Sequence, residues 1–227
     1  MIIDAGLSWV IRKYWSGETS TRVIFFTKDY GLVNCLCKGG RAPKKQAVLQ
    51  SFIPLWLSID ERKGYYFARL YELASSPIFL SGQNIFAGLY INELISLAMK
   101  PQDPHPELYI AYTNALKLLM NANDRFAIEA ILRRFEWILL KNIGYQISLT
   151  HDAYSFDYIS DDNYYHFVAG VGFIRANDGI KGAYIRALAE DRLEDPLVFN
   201  VAKKIMRLAI DHALDGKVIK TRELYKS

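Results

Sequence analysis

The sequence predicts an α+β chain of two domains: a five-stranded β-barrel over residues 1–78, then an all-α helical domain over 79–227 with a loop-rich insertion at about 148–182. Three observations predict it. The first 75 residues alternate short runs rich in Val, Ile, Phe, Tyr and Trp with turn-forming clusters, which is the pattern of antiparallel strands. After Ser75-Ser76-Pro77 apolar residues recur at helical spacing instead. Charge divides at the same place: residues 1–80 hold eleven Lys and Arg against six acids, and the remainder seventeen against eighteen, although the whole chain is only +4.

The expected strands are 7–15, 21–27, 32–37, 51–59 and 65–74, separated by Ser16-Gly17, by residues 28–31, by a basic loop and by residues 60–64. Five short strands in so few residues suit a closed barrel, which removes exposed edges. An OB-fold fits best; periodicity alone leaves an SH3-like barrel as the alternative. Helices are expected over 84–100, 107–122 and 124–142, with Asp124 as N-cap and Gly144 as C-terminal stop, and then over 184–193 and 196–214. The insertion between them is acidic and aromatic, with two short strands expected at 164–168 and 172–175. Cys35 and Cys37, the chain's two cysteines, fall on one face of a strand and read as small core residues. No apolar run of 18 residues and no secretory leader are present, so a cytosolic chain without a membrane partner is expected.

Residues 38–45, Lys-Gly-Gly-Arg-Ala-Pro-Lys-Lys, carry the clearest chemical signal. Lys38, Arg41, Lys44 and Lys45 supply charges that neutralise phosphates, Gly39 and its neighbour permit close backbone approach, and no acid lies between residues 30 and 59. Arg12, Lys13, Arg22 and Arg69 are the nearest supporting cations. Tyr14, Trp15, Tyr30, Tyr65 and Tyr66 lie in or beside strands, where core filling is the expected role for most, Tyr30 being the least committed. Arg133 and Arg134 interrupt an apolar helix and suit a short acidic tail, Arg133 being preferred, or else one of the two pairs with Glu129 or Glu136. No P-loop, His-Glu-x-x-His or Gly-x-Ser-x-Gly occurs, so neither catalysis nor a cofactor is expected.

Several phrases together resemble one family. Phe26-Thr27-x-x-x-Gly31 leading into Lys38-Gly39-Gly40-Arg41, then Leu49-Gln50-Ser51-Phe52-x-Pro54-Leu55, resembles the amino-terminal domain of the RecO recombination mediators. Gly88-Leu89-Tyr90-Ile91-Asn92-Glu93-Leu94, Leu132-Arg133-Arg134-Phe135-Glu136, Leu139-Leu140 with Ile143-Gly144-Tyr145, and Lys220-Thr221-Arg222-Glu223-Leu224 follow in the same order. The resemblance implies binding of single- and double-stranded DNA, annealing of complementary strands, and partnership with RecR and the C-terminal tail of the single-stranded-DNA-binding protein, so that RecA is loaded indirectly. It implies a nucleoid-associated place in the bacterial cytoplasm. Many members bind zinc through cysteines in the insertion; this insertion has His151, His166 and aspartates but no cysteine, so no zinc is expected. The rival reading is a protein adaptor whose basic barrel face meets an acidic partner rather than DNA.

Overall fold

The computed structural model describes residues 1–225, which divide into two compact units, 1–128 with 219–225 and 129–218. In the first unit β1 (Ile2–Ser16), β2 (Ser20–Thr27), β3 (Gly31–Cys37), β4 (Pro54–Arg62) and β5 (Tyr65–Leu73) close into a barrel of order β1-β2-β3-β5-β4. β1 pairs with both β2 and β4, and a short parallel contact, Cys35 with Tyr66 and Leu36 with Phe67, seals β3 to β5. That closure is the OB-fold order and excludes the SH3-like alternative. The interior is filled by Val10, Val23, Phe25, Val33, Cys35, Cys37, Leu55, Leu57 and Ile59. Each large aliphatic side chain so buried contributes about 1.5–3 kcal/mol. Burial pushes the Cys37 thiol up to about 12, and Cys35 is raised for the same reason, so both are inert core residues.

The segment after β3 departs from expectation. The basic stretch is a loop only as far as Ala42; Pro43 then opens α1 (Pro43–Val48), with Ala42 extended as a residue before proline must be. Leu49, just past it, is buried among the barrel's interior side chains.

The helices of the first unit are packed on the barrel. In α2 (Gln83–Ala98) and α3 (Pro106–Met120), Tyr112 sets its ring edge-on to Trp9 and Phe26, 5.7 Å from each, and donates to Asn92 Oδ1 at 2.8 Å. Tyr109 donates to the Leu7 carbonyl at 3.0 Å. The hairpin glycine Gly31 has φ +62°, and a Cβ there would stand 2.3 Å from the Asp103 carbonyl oxygen, so only glycine lets this turn meet the chain before α3. The strand-to-helix change falls between Leu73 and Gln83, whereas the compact unit extends through Ile128. Glu93 on α2 accepts from Lys220 N, Thr221 N and Thr221 Oγ1, which docks the 3-10 turn Lys220–Tyr225 and brings two of the recognised phrases together.

The second unit takes most of α4 (Arg125–Asn142), then β6 (Tyr164–Val168), β7 (Gly172–Ala176), β8 (Ile180–Lys181), α5 (Gly182–Ala189) and α6 (Pro196–Ala213). Asp124 caps α4 by accepting from Ala127 N at 2.8 Å, and the far end closes with Tyr145 N on Leu140 O and Gly144 N on Lys141 O, a Schellman pair. The insertion is more regular than expected: β7-β6-β8 form a three-stranded sheet, so the helical domain is not purely α.

Asp152 organises the loop before that sheet. Its Oδ1 accepts from Tyr154 N and Ser155 N, both at 2.8 Å, and its Oδ2 from Arg175 N on β7 at 2.6 Å. Burial alone would raise this carboxyl, but the hydrogen bonds outweigh it and hold the group below the usual carboxylate range. A depressed folded value contributes stability at neutral pH that is lost as pH falls through it. Asp152→Asn is therefore expected to cost about 1.5–3 kcal/mol at pH 7, a loss that shrinks toward pH 2 in thermal melts across a pH series. An equal loss at both pH values would contradict a carboxylate role.

Candidate nucleic-acid interface

The register of the barrel decides which predicted cations share a surface. Across β1, β2, β3 and β5 one outward row reads Tyr14, Arg22, Leu36, Phe67, and the next reads Arg12, Ile24, Asn34. Lys38 follows Leu36 by two residues and sets its ammonium 5.3 Å from the Phe67 ring centre, while Arg69 is exposed at the bulge after Ala68. Arg12, Arg22, Lys38 and Arg69 thus belong to one outer sheet surface. Asn34 Nδ2 donates to Tyr14 Oη at 3.3 Å, which lays the tyrosine across that surface.

Arg41, Lys44 and Lys45 sit at the barrel end instead. Arg41 N bonds the Thr19 carbonyl and its guanidinium donates to the Gly17 carbonyl at 3.1 Å, so the basic loop is pinned to the β1–β2 turn. Its guanidinium carbon also lies 4.8 Å from the Trp15 ring centre. Lys45 Nζ donates to the Lys38 carbonyl at 2.9 Å and stands 6.0 Å from the Tyr71 ring. Gly39, at φ +64°, makes the bend that brings Lys45 over the loop, its Nζ 3.6 Å from where a Cβ would be. Lys44 is exposed on α1. Among the described residues, Arg12, Arg22, Lys38, Arg41, Lys44 and Lys45 make no ion pair with a carboxylate.

Lys13 does not join them. It pairs with core residue Val23 in the register, and its ammonium is held by the Leu49 carbonyl at 2.8 Å and Gln50 Oε1 at 3.1 Å. Partial burial lowers its affinity for a proton. The expectation that most strand aromatics fill the core is overturned for Tyr14, Trp15 and Tyr65, which are exposed, as Tyr30 is in its turn; Phe25 with Val, Leu, Ile and Cys side chains fills so small an interior. Tyr66 is half-buried and donates to Gln102 Oε1. Sequence reading missed Phe67 and Arg62, whose guanidinium lies 5.8 Å from the same ring while bonded to Asp60. Sequence alone left open which way Phe67 faces in β5, and only the β3–β5 register sets it outward beside Lys38. Each such exposed cation–ring pair is worth about 0.5–1 kcal/mol.

In the second unit the two arginines part company. Arg133 is nearly buried and donates to Glu136 Oε1 at 2.7 Å, the pairing expected of one of the two. Arg134 is exposed and grips Asp191 through Nε at 3.0 and 2.9 Å. Lys203 of α6 bonds Glu129 at 2.6 Å. The insertion's donors do not fit zinc: both oxygens of Asp152 are taken by backbone N–H groups, His151 is bonded to Thr150 and His166 to Asp178, and among the described residues no three such ligands converge.

The fold and the surface together define an OB-barrel protein with a cation-and-ring face, continued by a helical part. The family model described as "Recombination protein O C terminal" matches residues 80–193. "DNA repair protein RecO" of Legionella pneumophila (strain Lens) is 52% identical over 219 residues, 96% of each chain. The protein of the same description from Enterobacter sp. (strain 638) is 34% identical over 218 residues, 93% of this chain and 92% of its own. The chain belongs to the RecO family of DNA repair proteins.

Proposed function

We propose that this chain is a non-enzymatic recombination mediator that binds single- and double-stranded DNA by the backbone, anneals complementary strands, and acts with RecR and the single-stranded-DNA-binding protein in loading RecA. Residues 1–78 form the DNA-binding domain in this reading, and 79–227 the partner-binding domain. One observation carries it: Arg12, Arg22, Lys38, Arg41, Lys44 and Lys45 surround one side and one end of an OB barrel without carboxylate partners, and the β2–β3 face is where such barrels bind oligonucleotides. Phosphates brought to these cations release counterions, and charge neutralised there lowers the repulsion between two strands being joined.

Arg134 suits the acidic tail of the single-stranded-DNA-binding protein better than Arg133, because its guanidinium is exposed and its present partner, Asp191, is itself an exposed carboxylate that a tail carboxylate can replace. Tail capture would raise the local concentration of the barrel on coated strands. No helix among the described residues is long and apolar enough to cross a membrane, which accords with a place beside the nucleoid in the cytoplasm.

The test is annealing of complementary oligonucleotides followed by energy transfer between end labels. The intact protein is expected to accelerate pairing, and Arg22→Glu with Lys38→Glu to abolish the acceleration. Equal rates with and without protein would remove the annealing role and favour the adaptor reading.

A further inference from the structure

The structure assigns Trp15 as a stacking platform for one unpaired base of a single strand. This rests on the DNA-binding reading above and adds to it a base-contacting subsite. Trp15 is 57% exposed, the most open of the four tryptophans, whereas Trp9 is 4% exposed and packed beneath Tyr112 of α3. It pairs with Thr21 in the register, two residues beyond the Lys13–Val23 pair on the same side of β1, yet it stays exposed while Thr21 is buried. What does cover it is a cation: Arg41, pinned to Gly17 and Thr19, holds its guanidinium plane's carbon 4.8 Å from the ring centre.

An indole with an open face, clad by a guanidinium and bordered by phosphate-seeking charges, matches a ligand that offers flat rings and anions alternately. An unpaired base stacks on an aromatic ring more strongly than an exposed cation does, so a base can share or take the ring while Arg41 turns to the adjoining phosphate. Duplex DNA offers the phosphates but keeps its bases stacked inside. The platform therefore supplies preference for single strands, while the cations supply affinity for both.

The experiment measures binding of a labelled single-stranded oligonucleotide and of a blunt duplex of equal length to the full chain and to W15F, W15L and W15A, with thermal melts to verify folding. Trp15→Leu keeps apolar bulk without a ring, so it separates stacking from packing. Expected are a loss of about tenfold in single-strand affinity for W15L and W15A, near-native affinity for W15F, and less than a twofold change on duplex for all three, with the salt slope unchanged. Equal losses on both substrates, no loss at all, or W15L matching W15F would overturn the platform and leave the backbone grip standing. Failure of the native protein to bind either DNA would overturn both.

Discussion

Alanine at Lys38, Arg41, Lys44 and Lys45 together is expected to weaken single-strand binding roughly 10²- to 10³-fold at about 50 mM salt. Four phosphate contacts, each releasing about 0.7 of a counterion on a single strand, make affinity fall with nearly the inverse third power of salt, and that dependence sets the size of the loss. Arg41 and Lys45 also hold the loop to the Gly17 and Lys38 carbonyls, so part of the effect is loss of the loop's shape. Thermal melts separate the two contributions. All four residues are exposed, so the barrel itself should unfold within a few degrees of the native protein. A variant that unfolds normally and binds normally would remove the loop from the DNA interface.

The second large effect lies in the helical part. Glu136 is buried and Arg133 nearly so, and the 2.7 Å bond between them satisfies charges that neither could carry alone in an apolar helix. Glu136→Ala is expected to cost about 3–5 kcal/mol in chemical denaturation, because it strands a guanidinium away from water. Replacing both, Arg133→Met with Glu136→Leu, is expected to recover most of that loss, since the penalty belongs to the unpaired charge and not to the absent pair. A cost under about 1 kcal/mol for the single variant would mean the pair is solvated.

Much of this architecture was legible because local chemistry and global fold agree. Alternation found all five strands, and Asp124 and Gly144 marked both ends of α4 through an N-cap bond and a Schellman pair. α1 escaped notice because six residues give less than two turns of periodicity; Pro43 at its start was the available signal. The cations were legible as a set, but not their arrangement. Lys13 and Arg12 are adjacent in sequence and point to opposite sides of a strand, and only the β1–β2 register with its bulge between Val10 and Arg12 says which is outward. Trp15 and Phe67 were ambiguous for the same reason. Whether an aromatic fills a small barrel depends on how much volume Val, Leu and Ile from other strands already supply. Which of two neighbouring arginines is spent inside the protein depends likewise on partners distant in sequence: Arg134 meets Asp191, 57 residues away.

A barrel that holds DNA through phosphates on its cation-bearing side and end, as proposed above, must lose its grip as salt rises. That grip is tested most directly by the salt dependence of binding, measured by fluorescence anisotropy of a labelled single-stranded oligonucleotide from low to physiological salt. The native protein is expected to show a log–log slope steeper than about −3, made shallower by about 3 when Lys38, Arg41, Lys44 and Lys45 are replaced. A native slope near zero, or one that the replacement leaves unchanged, would contradict the phosphate grip.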